Sequence, residues 1–138
     1  MQRTLGIDVG DARVGLAISD ELGMLAHPLE TISVAKMNPV ARVAAIAKER
    51  GVGVVVVGVA KNMDGSQGPS AQKGLAFIKE LTALLSCRVV PWDERLSTVQ
   101  ASRALREAGR SAKQQKTIID QAAAQVILQS WLDSQTCA

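Results

Sequence analysis

The chain has 138 residues and a net charge of +3, a length that suggests a single domain over residues 1–138. A domain of this size buries roughly 68–70% of its unfolded surface, so it needs no disulfides, and 47% hydrophobic against 21% charged residues excludes disorder. No apolar run approaches the ~20 residues of a membrane-spanning helix, the opening Met1 to Gly6 lacks the regions of a signal peptide, and Cys87 and Cys137 have neither metal nor disulfide spacing, so a cytoplasmic protein in a reducing compartment is expected.

The first elements read as strands. Leu5, Ile7 and Val9 alternate with Gly6, Asp8 and Gly10, and Val14, Leu16 and Ile18 alternate with Arg13, Gly15 and Ala17. Gly10-Asp11 between them predicts a hairpin turn. A third, weaker strand is expected over Leu25 to Val34, short, bent or at an edge, because Pro28 has no N–H for the ladder. His27, the one histidine, stands beside Pro28 and is expected at a surface or edge. A zinc site or a Ser-His-Asp triad is therefore unsupported.

The period then turns helical. Asn38 suits an N-cap and Pro39 the first helical position, Val40, Val43, Ala44 and Ala47 form a stripe, and Gly51 is a C-terminal stop. Val54 to Val57 has no alternation, the mark of a strand buried on both faces of a parallel sheet. Asn62 to Ser66 reads as a loop. A helix is predicted over Ser70 to Leu85 with Leu75, Ile78, Leu81 and Leu85 inward, then a strand from Arg88 to Pro91.

Ser97 and Gln100 make a capping box for a helix ending near Gly109. Gly109 to Lys116 has no apolar periodicity and reads as a mobile loop, before a last helix from about Thr117 to Leu132. An antiparallel meander followed by βαβ units implies a mixed sheet with helices on its faces.

The basic residues are unevenly spread. Residues 97–117 hold Arg103, Arg106, Arg110, Lys113 and Lys116 against Glu107 alone, a larger excess than the whole chain's +3. Arg103, Arg106 and Arg110 fall on one helical face opposite Ala101, Leu105 and Ala108. That face is either an ordinary solvated one or a grip for nucleic acid. With Phe77, Trp92 and Trp131 the only aromatics, stacking on splayed bases is a poor fit, and phosphates are the expected contact.

Three carboxylates fall in unusual places. Asp8 lies inside a strand, where Asp is disfavoured, flanked by glycines that leave room for a ligand. Pairing with Arg13 is its plainer explanation. Asp93-Glu94-Arg95 follows a strand, at the end where sites in open α/β sheets form. It also fits a solvated turn. Asp120 fits a capping box with Thr117, yet shares a helical face with Ala124, Ile127, Leu128 and Trp131. A carboxylate in line with an apolar stripe needs a partner or a metal. Such a trio suits two Mg²⁺ or Mn²⁺ ions, which bind oxygen ligands and, about 4 Å apart, promote phosphodiester hydrolysis.

Four blocks in order along the chain carry a family resemblance. Gly6-Ile7-Asp8-Val9-Gly10 with Arg13, Gly15, Ala17, Ser19 and Asp20 resembles the opening signature of the YqgF family. Val57-Gly58 with Asn62 to Ser66, Asp93 to Thr98, and Asp120 with Ala123, Ala124, Ile127 and Leu128 resemble its later blocks. Ala60 stands where the family usually has proline, which puts only loop contacts in doubt.

The resemblance implies an RNase H-like fold, an α/β five-stranded mixed sheet related to the Holliday junction resolvases. It implies a cytoplasmic nuclease that matures the 5′ end of precursor 16S ribosomal RNA, alone or within pre-ribosomal particles. Asp8, Glu94 and Asp120 would be its catalytic, metal-binding acids, with Mg²⁺ or Mn²⁺ as cofactor. Asp93 stays open as the alternative to Glu94. Arg13, Arg95, Arg103, Arg106 and Arg110 are the expected substrate-binding residues. The products would be a 3′-hydroxyl and a 5′-phosphate. Rival expectations are a resolvase acting on branched DNA, for which a homodimer rather than a monomer would suit symmetric cutting, and a non-catalytic nucleic-acid-binding module. An actin-like ATPase is disfavoured, because one short domain cannot enclose a nucleotide.

Overall fold

The computed structural model describes residues 2–60, 64, 66–94 and 112–136, with side chains of the final helix described over 122–135. Its elements are β1 (Arg3–Val9), β2 (Arg13–Ser19), β3 (Ala26–Ser33), α1 (Pro39–Glu49), β4 (Val52–Val59), α2 (Pro69–Leu84), β5 (Arg88–Asp93) and α3 (Ala112–Thr136). The five strands form one sheet in the order β3-β2-β1-β4-β5. The β1–β2 and β2–β3 pairs are antiparallel, and the β1–β4 and β4–β5 pairs are parallel.

Local chemistry explains the boundaries. The Gly10 N–H donates to the Arg13 carbonyl at 2.9 Å and closes the predicted hairpin. β3 is an edge strand, and its ladder shifts where Leu16 faces Glu30 but Ala17 faces Pro28, so one residue bulges beside the proline. His27 is exposed on it. The Asn38 carboxamide oxygen accepts from the N–H groups of Val40 (3.0 Å) and Ala41 (3.2 Å) and caps α1. Gly51, at φ +66°, turns the chain from that helix into β4 in a left-handed conformation that favours glycine.

The sheet has two different faces. Side chains alternate along each strand. On one face Leu5, Ile7, Val14, Leu16, Val55 and Val57 pack with Val43 and Ile46 of α1 and Phe77 and Leu81 of α2. On the other face Ala17 and Val56 pack with Ala124, Ile127, Leu128 and Trp131 of α3. β4 is covered on both sides, as its unbroken valines require.

Three expectations change. The buried stripe of α2 is Ala71, Gly74, Phe77 and Leu81, so of the expected Leu75, Ile78, Leu81 and Leu85 only Leu81 is fully buried, while Ile78 and Leu85 pack partly buried against the core. A Cβ on Gly74 would stand 3.0 Å from the Gly58 carbonyl oxygen, so this helix meets the sheet at its smallest residues. Leu75 and Ile78 are left half-buried on the flank, and Leu85 lies past the helix end. Strand β5 runs on through Trp92 and Asp93, with Pro91 exposed in an edge position that tolerates it. The loop expected over Gly109 to Lys116 is corrected: Ala112 to Lys116 are the start of α3. Lys and Gln are good helix formers even without an apolar stripe. The helix predicted from Ser97 to Gly109 lies outside the described residues, as do Asn62, Met63 and Gly65 of the predicted loop.

Two glutamines tie α3 to the edge of the sheet. The Gln129 carboxamide accepts from the Ala26 N–H at 2.9 Å and donates to the Met24 carbonyl at 2.9 Å. Gln125 donates to the Ala26 carbonyl at 3.0 Å. On the opposite side the Trp92 indole donates to the Ser130 hydroxyl at 3.2 Å.

Candidate active site

Asp8 is the penultimate residue of the central strand and only 4% exposed. It is in phase with Gly6, whose bare backbone lies against Leu128 and the Ala124 carbonyl of α3. Asp8 therefore belongs to the α3 face. Its β2 neighbour is Gly15. On its other side the parallel register runs from Ile7 and Val57 to Asp8 and Gly58. The carboxylate thus sits in a row with glycine on both flanks. A strand interior normally disfavours Asp, and here no neighbouring side chain in the row crowds it.

Glu94 enters the same place from β5. It follows the strand directly and is 3% exposed. An ideal Cβ built on Gly58 would lie 3.0 Å from Glu94 Oε1 and 3.3 Å from its Cγ. The Glu94 side chain thus occupies the space left by Gly58. Alternation separates the adjacent acids: Val90 and Trp92 pack on the α3 face, whereas Val89 packs against the α1 and α2 core. Glu94 is in phase with the former and Asp93, half-buried, with the latter. Glu94, rather than Asp93, is therefore buried on the face that Asp8 shares.

Asp120 lies within α3, one turn before Ala124. The helix runs from there past Gly6 to Gln129, which bonds the start of β3. Met24 and Ala26 are at the end of the sheet opposite Thr31, the β3 partner of Gly15. The helix direction therefore carries Asp120 toward the Asp8 end. Its side chain is outside the described set. Among the described residues, no group of three His, Cys, Asp or Glu side chains forms a metal cluster.

Arg13, half-buried at the start of β2, is in phase with Gly15 and Ala17 and so shares the α3 face with Asp8. Arg95, Arg103, Arg106 and Arg110 lie outside the described residues. Beside this end of the sheet, Lys73 of α2 forms an ion pair with Asp11 in the β1–β2 turn. Among the described residues, no helix is long and apolar enough to cross a membrane.

Sequence reading missed two contributors. Gly58 was visible only as part of a motif, with no sign of what fills its space. Extending the β5 alternation beyond Pro91 would have placed Glu94 with Val90 and Trp92. The glutamine clamps carried no advance signal, because their partners are distant backbone groups.

A carboxylate pair buried at the carboxyl ends of parallel strands is the arrangement of an α/β site protein, and the fold is the RNase H-like one. Thermus thermophilus RuvC, solved in complex with a Holliday junction substrate, aligns over 99% of this chain and 97% of its own at a TM-score of 0.58 and 16% identity. The fowlpox virus Holliday junction resolvase aligns over 96% and 99% at a TM-score of 0.54 and 16% identity. The profile of the RuvX family, described as Holliday junction resolvase, matches residues 2–134, and the chain belongs to this family. Among its relatives, a Halalkalibacterium halodurans protein named "Putative pre-16S rRNA nuclease" is 46% identical, covering 96% of this chain and 97% of that one. A Geobacillus kaustophilus protein of the same name is 47% identical over 96% and 98%.

Proposed function

We propose that this protein is a cytoplasmic, divalent-metal-dependent endonuclease that hydrolyses RNA phosphodiesters in 5′-end maturation of precursor 16S ribosomal RNA. The observation that carries the reading is that Asp8 on β1 and Glu94, seated at Gly58 of the adjacent β4, are both buried on one face at one end of the sheet. The names of relatives at 46–47% identity supply the substrate.

The donor set fits a hard cation. Two carboxylates in the same buried row bring like charges together, and a divalent ion offsets both their repulsion and their desolvation. Oxygen-only donors suit Mg²⁺ or Mn²⁺. Asp8 and Glu94 would hold the metal, and Asp120 on α3 would complete the set. When bound, the metal supplies Lewis-acid stabilisation of the charge that develops on a phosphoryl oxygen and makes water more acidic.

The chain's own residues do the rest. Asp8 stands one residue from the end of β1, at the edge of the row from which a sugar-phosphate strand would approach it. Arg13, on the same face, would orient a phosphate. The packed Trp92–Ser130 and Gln129–Ala26 contacts fix the helix that closes the α3 face. The basic side chains of Arg95, Arg103, Arg106 and Arg110 would contact phosphates further along the strand, so changing the last three to Gln should flatten the salt dependence of RNA binding.

The family's own description favours a second reading, a resolvase of branched DNA. The test offers a 5′-extended 16S precursor and a four-way DNA junction, each with Mn²⁺, Mg²⁺ or EDTA, beside an Asp8→Asn control. Metal-dependent RNA cutting that the variant loses supports the proposal. Cutting of the junction alone replaces it with the resolvase reading. Nucleic-acid binding without cutting of either substrate replaces it with a binding module.

A further inference from the structure

Glycines 6 and 58 both face α3 from adjacent strands, but they are crowded by different kinds of atom. A Cβ at Gly6 would stand 2.6 Å from Leu128 Cβ and 3.0 Å from the Ala124 carbonyl oxygen. Neither atom can move without moving the helix. A Cβ at Gly58 would stand 2.5 Å from Ile127 Cδ1 and 3.0 Å from Glu94 Oε1. Both of those atoms are the free ends of side chains. A methyl group at Gly58 is therefore accommodated by rotating tips, not by shifting a backbone, and one tip is the carboxylate of the candidate site.

We propose that Gly58 is a positioning residue: its missing side chain is the seat that fixes the Glu94 carboxylate over β4, in the row that continues to Asp8 on the adjacent strand. Ile127 shares the seat and walls it on the α3 side. On the other face of the sheet Gly74 of α2 faces this strand, where a Cβ of its own would stand 3.0 Å from the Gly58 carbonyl oxygen. The atoms nearest to an added methyl at Gly58 are those of Ile127 and Glu94. This inference rests on the reading of Asp8 and Glu94 as metal-binding acids.

Ile127→Val makes a decisive test possible, because it removes only the Cδ1 atom that meets the new methyl. Four proteins are compared: wild type, Gly58→Ala, Ile127→Val and the double variant. Each is measured for thermal unfolding, for Mn²⁺ affinity by EPR titration without substrate, and for RNA cleavage. Gly58→Ala is expected to weaken Mn²⁺ binding and lower the cleavage rate by at least 10-fold. The double variant should regain thermal stability relative to Gly58→Ala while the Mn²⁺ and cleavage defects persist. Recovery of all three in the double variant overturns the proposal, since Gly58 would then act only through its packing with Ile127. Unchanged Mn²⁺ affinity in a folded Gly58→Ala protein also overturns it.

The two readings fail separately. Wild-type protein that binds Mn²⁺ but cuts no nucleic acid removes the nuclease assignment and leaves the Gly58 comparison of Mn²⁺ affinities decisive. Wild-type protein that binds no Mn²⁺ overturns the metal-site reading and this inference together.

Discussion

The two faces of the sheet are built from the same five strands and do different work. The α1–α2 face is closed by branched aliphatic side chains such as Leu5, Ile7, Val55 and Val57, all fully buried. The α3 face also has an apolar core, with Val56 packed under Ile127, Leu128 and Trp131, but it mixes in small residues and polar anchors: Gly6, Ala17 and Gly58 below, and Gln125, Gln129 and Ser130 above. Both faces bury apolar area. On the second, the buried acids Asp8 and Glu94 share the face, and Glu94 fills the room left at Gly58. Strand alternation lets one chain serve both, since each residue and its neighbour belong to different faces.

This contrast predicts opposite trade-offs. The largest effects belong to the α3 face and are functional. Asp8→Asn or Glu94→Gln should reduce cleavage by at least about 100-fold, because even partners of metal ligands are worth roughly 10–100-fold. Mn²⁺ should raise the melting temperature of wild type more than that of either variant, and an equal rise in all three would mean that these acids do not hold the metal. On the α1–α2 face, Leu81→Ala should cost about 2–5 kcal/mol in a denaturant titration, while Mn²⁺ affinity of the folded protein stays unchanged.

Smaller effects sharpen the comparison. Gln129→Ala removes both ties to the start of β3, each worth about 0.5–1.5 kcal/mol. It should raise amide exchange in β3 and α3 more than in α1 and α2. Uniform exchange across the protein would dissolve the distinction between the faces. The smallest effect comes from Glu30 on β3 and Arg42 on α1, paired through two bonds of 2.8 and 2.9 Å. That hydrogen-bonded guanidinium lowers the Glu30 carboxyl below its ordinary value. The pair's stabilisation is therefore complete above pH ~4.3 and is lost as pH falls through the lowered folded value. Partial exposure limits it to about 1 kcal/mol or less. Thermal melts from pH 7 to pH 3 should show Glu30→Gln less stable than wild type at neutral pH, with the gap closing in acid.

Much of the framework was legible in the residues. Asn38-Pro39 and Gly51 bracket α1 because caps are local chemistry, and Pro28 announced an edge because a missing N–H has nowhere else to go. Val54 to Val57 announced a doubly covered strand. The misread parts share one cause. Periodicity follows large apolar side chains, but α2 approaches the sheet through Ala71 and Gly74, and α3 begins with polar residues that have helix propensity and no stripe. The site was legible as residue types rather than as geometry. Asp8 stood out as a strand carboxylate, whereas the choice between Asp93 and Glu94 needed β5 to extend to Asp93 before alternation could separate them. The seat at Gly58 depends on residues 36 and 69 positions further along the chain, Glu94 and Ile127, and no local pattern encodes that meeting.

Adjacent acids on opposite faces make the most direct test. Cleavage of a 5′-extended 16S precursor in Mn²⁺ should be measured for wild type, Glu94→Gln and Asp93→Asn under the same conditions. Loss of cutting in Glu94→Gln with cutting retained in Asp93→Asn is the result that follows from the α3-face site. Cutting retained in Glu94→Gln and lost in Asp93→Asn would contradict it.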